Sequence, residues 1–470
     1  MGNKKGKSLY SLLWILFEKF GVTIIAVISF SMYAVMLSPA EFGEATIALS
    51  LAMGIGQTVA TLFQDPLVCK KKLTVASLST ALFGSLLLTL SLVAIFVLIS
   101  WSLGLGDLEL LLTVAAIIIP ILSINGIYSG ILRRRNKFKR MSQALLVGRC
   151  VGATVGISTA WFGLGALSMV LHSVATEFVV MVCLFGVQRL RVKPIFRLRL
   201  FYEILSIGYA ISLRKLSWEG YIKGLPVLIG ATLGTTAAGI YSFAWRVVDL
   251  PRSAITSGAI SFILPLFAKS ECLKQLKTLY MDVTKVSMLL FAPIFIGLGL
   301  AIEPFLMLVF GDKWLDAVPV IQALALVVVL SHSRIYVPTL LTSLGTPQST
   351  LAADIVSSAI ALLACYLLFD EFGVLAAVLS QFIRFAFNYP FLAKQLQTRL
   401  SLGLIESNKV FLGAAIACLA MVTTNMLLVG KQSIEPLMQL GYTVALGLLI
   451  YPLFVALIDI KFIRKIVSRS

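Results

Sequence analysis

Residues 74–103 read TVASLSTALFGSLLLTLSLVAIFVLISWSL, with no charged side chain anywhere in the run. About 20 apolar residues in an α-helix cross the hydrocarbon core of a bilayer, so this segment is long enough to span it unaided. Its flanks give it a direction. Lys70, Lys71 and Lys72 precede it, and Asp107 and Glu109 follow it. Basic residues accumulate on the cytoplasmic side of membrane proteins, so the segment starts inside and ends outside.

The same reading extends over all 470 residues. Hydrophobic residues make up 59% of the chain and charged residues 13%, with a mean hydropathy of +0.98. Soluble domains carry about 25% charged residues, which excludes a soluble enzyme or nucleic-acid-binding protein in spite of a net charge of +18. Breaks at charges, Gly and Pro define fourteen candidate spans: 9–37, 45–68, 74–103, 111–131, 142–162, 167–187, 201–232, 238–268, 283–310, 317–343, 350–369, 373–393, 409–430 and 437–460. Loops on the side of the N-terminus hold 27 Lys and Arg, whereas the opposite loops hold only Lys313 and Lys431. The expectation is an all-α, multi-pass protein of the cell inner (plasma) membrane with both termini in the cytoplasm.

The six cysteines form no Cys-x-x-Cys pair, and His172 and His332 stand far apart in apolar stretches. Neither a disulfide framework nor a metal site is expected. Each histidine reads as a packed or hydrogen-bonded core group.

Short matches relate the two halves. Phe162-Gly163-Leu164-Gly165-Ala166 corresponds to Phe372-Gly373-Val374-Leu375-Ala376, and Ile127-Tyr128 to Ile335-Tyr336. The turn Leu37 to Gly43 likewise corresponds to Leu233 to Gly239. Spans one and seven both start inside, so the repeat is parallel. It divides the chain into two six-helix lobes, 1–194 and 195–398, with a site expected where they meet. Residues 399–470 form an extra helix pair and a basic tail.

Ten cations remain within spans or at their edges: Lys19, Arg149, Arg214, Lys215, Lys223, Arg246, Arg252, Lys285, Arg334 and Arg384. A Lys or Arg at the bilayer centre costs about 2.5–3.5 kcal/mol on insertion scales, so each needs a partner or water. Pairing along one helix is one solution: Lys215, Glu219 and Lys223 have i,i+4 spacing, and Arg246, Asp249 and Arg252 have i,i+3 spacing. Each triplet nevertheless has a cation in excess. A cationic, water-filled cavity is the other solution, built from all ten except Lys285, which snorkels from a cytoplasmic end. Such a cavity suits a large anion, because guanidinium groups match phosphate geometry. Glu177, Glu303 and Asp354 are the candidate acids for H⁺ or Na⁺ coupling; no other cofactor and no metal is expected.

Leu37-Ser38-Pro39-Ala40-Glu41-Phe42-Gly43 resembles the L-G-P-x-x-F-G exit of the first helix in bacterial polysaccharide flippases. Gly239 to Arg246, running on to Leu250-Pro251 and Phe262 to Lys269, resembles their eighth helix, and Leu132 to Arg140 their basic inner loop. The chain is similar to the O-antigen and colanic-acid exporter type of the multidrug/oligosaccharidyl-lipid/polysaccharide (MOP) superfamily. That resemblance implies a V-shaped bundle moving an undecaprenyl-diphosphate-linked oligosaccharide by alternating access, with Arg246 at the motif's basic position. The lipid tail would follow the groove beside spans thirteen and fourteen. It implies membrane lipids and cargo as partners, with a polysaccharide polymerase and glycosyltransferases acting alongside a monomeric, non-enzymatic protein that binds no nucleic acid. Where the family often carries Arg in its first helix, this chain has Val35. Two rivals stand beside this reading. A multidrug/cation antiporter of the superfamily predicts about twelve spans and a carboxylate-rich first lobe. A membrane-embedded polymerase or ligase predicts a large outer loop carrying reactive groups.

Overall fold

The computed structural model describes residues 21–70, 73–188, 192–429 and 435–467, without the side chains at 210, 211, 214, 261, 347 and beyond 459. No β-strand occurs among the described residues. The helices are α1 (Gly21–Met36), α2 (Pro39–Cys69), α3 (Val75–Ser102), α4 (Asp107–Ala116), α5 (Ile118–Arg134), α6 (Phe138–Trp161) and α7 (Ala166–Val187). There follow α8 (Leu198–Leu233), α9 (Thr235–Ala268), α10 (Leu273–Phe310), α11 (Val318–His332) and α12 (Val337–Ser343). The chain ends with α13 (Leu351–Phe372), α14 (Leu375–Leu400), α15 (Leu404–Lys409), α16 (Leu412–Leu428) and α17 (Pro436–Val467). Nine helical segments among the described residues are long and apolar enough to cross a membrane, one of them running from Leu273 to Ser343. The expectation of fourteen also counts α1, which is described only from Gly21, and α8, α14 and α16, which are shorter or carry several charges.

Local chemistry sets these boundaries. Ser38 and Glu41 form a reciprocal cap at the start of α2, with Pro39 in the first turn, where its missing N–H costs nothing. Thr74 and Ser77 do the same for α3. Along α3 the usual inside-out pattern is reversed: Ser77, Thr80, Ala81, Gly84 and Ser85 are buried, while Leu87, Leu90 and Leu98 are exposed. That is the arrangement lipid demands, because tails solvate leucine and small residues let helices approach. Two buried hydroxyls are satisfied within the helix, Ser85 donating to Leu82 O at 3.0 Å and Thr89 to Ser85 O at 2.8 Å, while that of Thr80 accepts from Arg197 N at 3.2 Å.

The chain forms two compact units, residues 1–242 and 243–470. In the first, α2 packs against α5 and α8, and α6 pairs with α7. The packing boundary falls within α9 because α8 lies along α2, whereas the repeat sets its boundary before α8. A stripe of Gly148, Gly152 and Gly156 on α6 brings α7 into backbone contact. A methyl group on Gly152 would fall 1.8 Å from Thr176 Oγ1 and 2.7 Å from the His172 carbonyl. His172 is held there by Tyr33, whose hydroxyl lies 3.0 Å from Nδ1, so it is the hydrogen-bonded core group expected. In the second unit α10 carries α11, α16 and α17, and α13 pairs with α14. There His332 stacks on Phe291 at 3.6 Å and meets Ser287 Oγ through Nε2 at 2.8 Å.

Several positions matched between the two halves share local features. The fourth predicted span is broken between α4 and α5, and the tenth between α11 and α12. Gly163 and Gly373 both take left-handed backbone, with φ of 81° and 51°. Gly43 and Gly239, matched in the repeat, meet directly where the starts of α2 and α9 cross. A methyl group on Gly43 would lie 1.8 Å from the Thr235 carbonyl oxygen, and one on Gly239 would lie 1.8 Å from the Pro39 carbonyl oxygen.

Candidate functional site

Three stripes of polar residues converge inside the first unit. On α2, Gln57, Thr61 and Gln64 recur at i, i+4 and i+7, which places them on one helix face. On α5, Asn125, Ser129 and Arg133 recur every fourth residue, and on α8 Lys215 and Glu219 do the same. With Glu177 from α7 they line a cavity of about 320 Å³, closed on its apolar side by Met141, Leu145, Val180 and Leu216.

The groups are fixed to different degrees. Asn125 Nδ2 donates to Glu177 Oε2 and to the Glu177 carbonyl, both at 3.0 Å, so this pair is locked. The Asn125 Oδ1 atom is buried and has no hydrogen-bond partner among the described residues. Gln64 is 8% exposed and makes no hydrogen bond among the described residues. Among the described residues Lys215 Nζ reaches only Thr61 Oγ1, at 3.4 Å. No ion pair forms among Arg133, Glu177, Lys215 and Glu219, although the pocket holds two charges of each sign. Arg133, Lys215 and Gln57 are exposed, but buried polar groups normally find partners, so the buried Gln64 amide and Asn125 Oδ1 beside one cavity make it a candidate binding site.

The expected site residues are distributed over the molecule. Lys215 and Glu177 enter this pocket. Lys19 lies outside the described residues, and the side chain of Arg214 is not among those described. Arg149 is half-buried on α6, and the stem of Lys223 passes beside Gly54 of α2. In the second unit, Arg246 and Glu303 are exposed on α9 and α10. The i,i+3 pair anticipated on α9 does form: Arg252 Nε donates to Asp249 Oδ1 at 2.9 Å, and the guanidinium lies 5.5 Å from the Trp245 ring centroid. Lys285 pairs with Asp459, tying α10 to α17. Lys215 does not pair with Glu219 as its spacing suggests, because α2 offers Thr61 instead.

Two further residues of the second unit are engaged with protein groups. Arg334, in the break between α11 and α12, is 2% exposed. Its Nη2 donates to Tyr389 Oη at 2.7 Å, Asn408 Oδ1 at 2.8 Å and Ser407 Oγ at 3.0 Å. The guanidinium carbon also lies 4.7 Å from the Tyr389 ring centroid. Ser407 and Asn408 belong to the segment leading into α16, so Arg334 anchors the extra helix pair to its unit. Arg384 Nε donates to Ser358 Oγ at 2.9 Å, and Asn388 Nδ2 donates to Asp354 Oδ1 at 2.6 Å, between α13 and α14. An Asn–carboxylate pair thus occurs in each unit.

Sequence reasoning based on charge passed over Gln57, Thr61, Gln64, Asn125 and Ser129, and it assigned Arg133 to a loop. The signal was present as polar residues at helical spacing inside apolar helices, which the cost of burying amides makes informative.

The model of the family described as polysaccharide biosynthesis protein matches residues 32–319. The succinoglycan biosynthesis transport protein ExoT of Rhizobium meliloti is 26% identical over 67% of this chain. The teichuronic acid biosynthesis protein TuaB of Bacillus subtilis is 28% identical over 48% of it. The matches span 64% and 47% of the lengths of those relatives. Among solved structures, the lipid II flippase MurJ in an inward closed conformation superposes with a TM-score of 0.75, at 16% identity, over 96% of this chain and 100% of that one. An inward-facing multidrug resistance MATE family transporter of the MOP superfamily gives 0.60, at 14% identity, over 87% of this chain and 99% of that one. The fold is therefore that of MOP-superfamily transporters, and the chain belongs to the polysaccharide biosynthesis protein family.

Proposed function

We propose that the protein is a flippase, carrying an undecaprenyl-diphosphate-linked oligosaccharide from the cytoplasmic to the outer leaflet by alternating access. The observation that carries this reading is double. Family membership covers residues 32–319, and the fold follows the lipid II flippase over 96% of the chain. The relative named a transport protein supports transport rather than an enzymatic reaction. In this reading residues 1–194 and 195–398 are the symmetry-related lobes, residues 399–470 form the extra pair, and both termini are cytoplasmic. Lys215, Lys223 and Arg246 are the cations we assign to the cargo, whereas the Nη2 donor of Arg334 serves the protein's own structure. Asp354, oriented by Asn388, is the carboxylate we assign to H⁺ or Na⁺ coupling, and Glu177, oriented by Asn125, is the one we assign to H⁺ coupling alone. A polymerase and glycosyltransferases would act on the same lipid on either side of the transport step, and the unit of transport is the monomer.

Reconstitution tests this directly. Proteoliposomes containing the full chain and a lipid-linked oligosaccharide labelled in its sugar should move the label to the face where an added lectin captures it. Capture no faster than in protein-free vesicles, with either membrane orientation and with H⁺ or Na⁺ gradients imposed, would overturn the reading. Restoration of surface polysaccharide in flippase-deletion strains would then identify the glycan.

A further inference from the structure

We infer that the cavity between α2, α5, α7 and α8 is a subsite for an uncharged sugar of the cargo, held by its hydroxyls rather than by charge. The inference rests on the flippase reading for the cargo but on the pocket alone for the chemistry.

Charge balance excludes the alternatives first. Among the described side chains Arg133 and Lys215 are offset by Glu177 and Glu219, so a phosphate or uronate placed among them would meet two carboxylates. A bare monovalent cation would meet an ammonium and a guanidinium. Burying an ion beside a like charge without full pairing is costly, so neither ion is favoured. A fatty chain fares no better, because it would desolvate amides and carboxylates without returning a hydrogen bond.

A neutral polyol matches what remains. Each sugar hydroxyl both donates and accepts, and the pocket offers both functions close together. Glu219 and the orphaned Asn125 Oδ1 accept; Lys215 and Arg133 donate; the Gln57 and Gln64 amides do either. Gln64 is the most informative of these. Its amide is more than nine-tenths buried, lines the cavity and is spent on no partner among the described residues. The volume of about 320 Å³ lies at the lower end for small-molecule sites, which leaves room for a pyranose or a compact disaccharide and excludes a long repeat unit. The pocket therefore grips one end of the glycan, with the rest outside it.

Equilibrium dialysis of the purified full chain with labelled lactose, in a detergent lacking a sugar headgroup, tests the inference. Saturable binding is expected that neither glucuronate nor inorganic diphosphate displaces. Gln64→Leu should weaken it about tenfold, the worth of one buried hydrogen bond, without lowering the melting temperature. Gln57→Leu should weaken it less, because Gln57 is more exposed. Absence of saturable lactose binding, displacement by diphosphate, or wild-type affinity in Gln64→Leu would each overturn the proposal. Lactose binding with no translocation in proteoliposomes would leave the subsite standing and remove the flippase reading. Translocation with no lactose binding would do the reverse.

Discussion

The cavity of the first unit and the Arg334 cluster of the second both place charge within apolar helices, but Arg133 and Lys215 stay exposed at the cavity whereas Arg334 is buried. Arg334 is 2% exposed, and one nitrogen of its guanidinium already serves Tyr389, Ser407 and Asn408. Lys215 has one long contact to Thr61, while Gln64 beside it has none among the described residues. An intramembrane cation is a functional-site candidate by default. The contrast shows that position alone does not decide the matter: what counts is whether donors are consumed by the fold or left facing a cavity. By that measure the second unit spends the Nη2 donor of Arg334 on architecture, while its Nε and Nη1 are buried with no hydrogen-bond partner among the described residues, and the first unit leaves the Gln64 amide facing a cavity.

The comparison breaks most visibly at Arg334. Arg334→Ala should cost about 3 kcal/mol, since it leaves a void and strips a donor from three polar partners. Thermal melting of the purified protein would read this, and Arg334→Lys should recover little, because an ammonium lacks the planar fork. A melting temperature unchanged in Arg334→Ala would return Arg334 to the list of cargo contacts. Next in size is Asp459→Asn. It leaves Lys285 without its carboxylate at the α10–α17 contact, and about 2 kcal/mol of stability should go with it. Limited proteolysis should then cut first between α15 and α17.

Gly43→Ala probes the crossing of α2 and α9, where the added methyl group must displace backbone. Overpacking of this kind costs about 1–3 kcal/mol, and we place it at the lower end because both helices start there. The same melting assay checks it; a stability equal to wild type would mean that the helix starts are not in contact. Smallest of all is Gln64→Leu, which should change stability by less than about 0.5 kcal/mol while depressing transport. That dissociation of stability from transport is what the contrast between the two regions requires.

Much of this was legible before the structure. The spans were visible because charge and hydropathy alternate sharply: the uncharged run 74–103 is α3, and the FG turns at 162 and 372 end α6 and α13. The Asp249–Arg252 pair and the core roles of both histidines also followed from spacing and surroundings. Other features depended on tertiary neighbours. Lys215 was expected to pair along its own helix, and α2 supplied Thr61 instead. Arg334 looked like a cavity cation because Tyr389 and Asn408, distant in the chain, carry no charge to announce themselves. The pocket itself was hidden for a related reason. Amides and hydroxyls at 57, 61, 64, 125 and 129 are invisible to a count of charges, although their helical spacing put them on common faces. The meeting of Gly43 with Gly239 could be read as a repeat, but not as a contact.

The most direct test compares the two regions in one experiment: translocation of a lipid-linked neutral disaccharide per folded molecule, for Gln64→Leu and Arg334→Ala reconstituted side by side. A fall of about tenfold is expected for Gln64→Leu, one hydrogen bond to cargo, and a wild-type rate for the Arg334→Ala molecules that remain folded. A wild-type rate for Gln64→Leu together with a collapse for folded Arg334→Ala would contradict it.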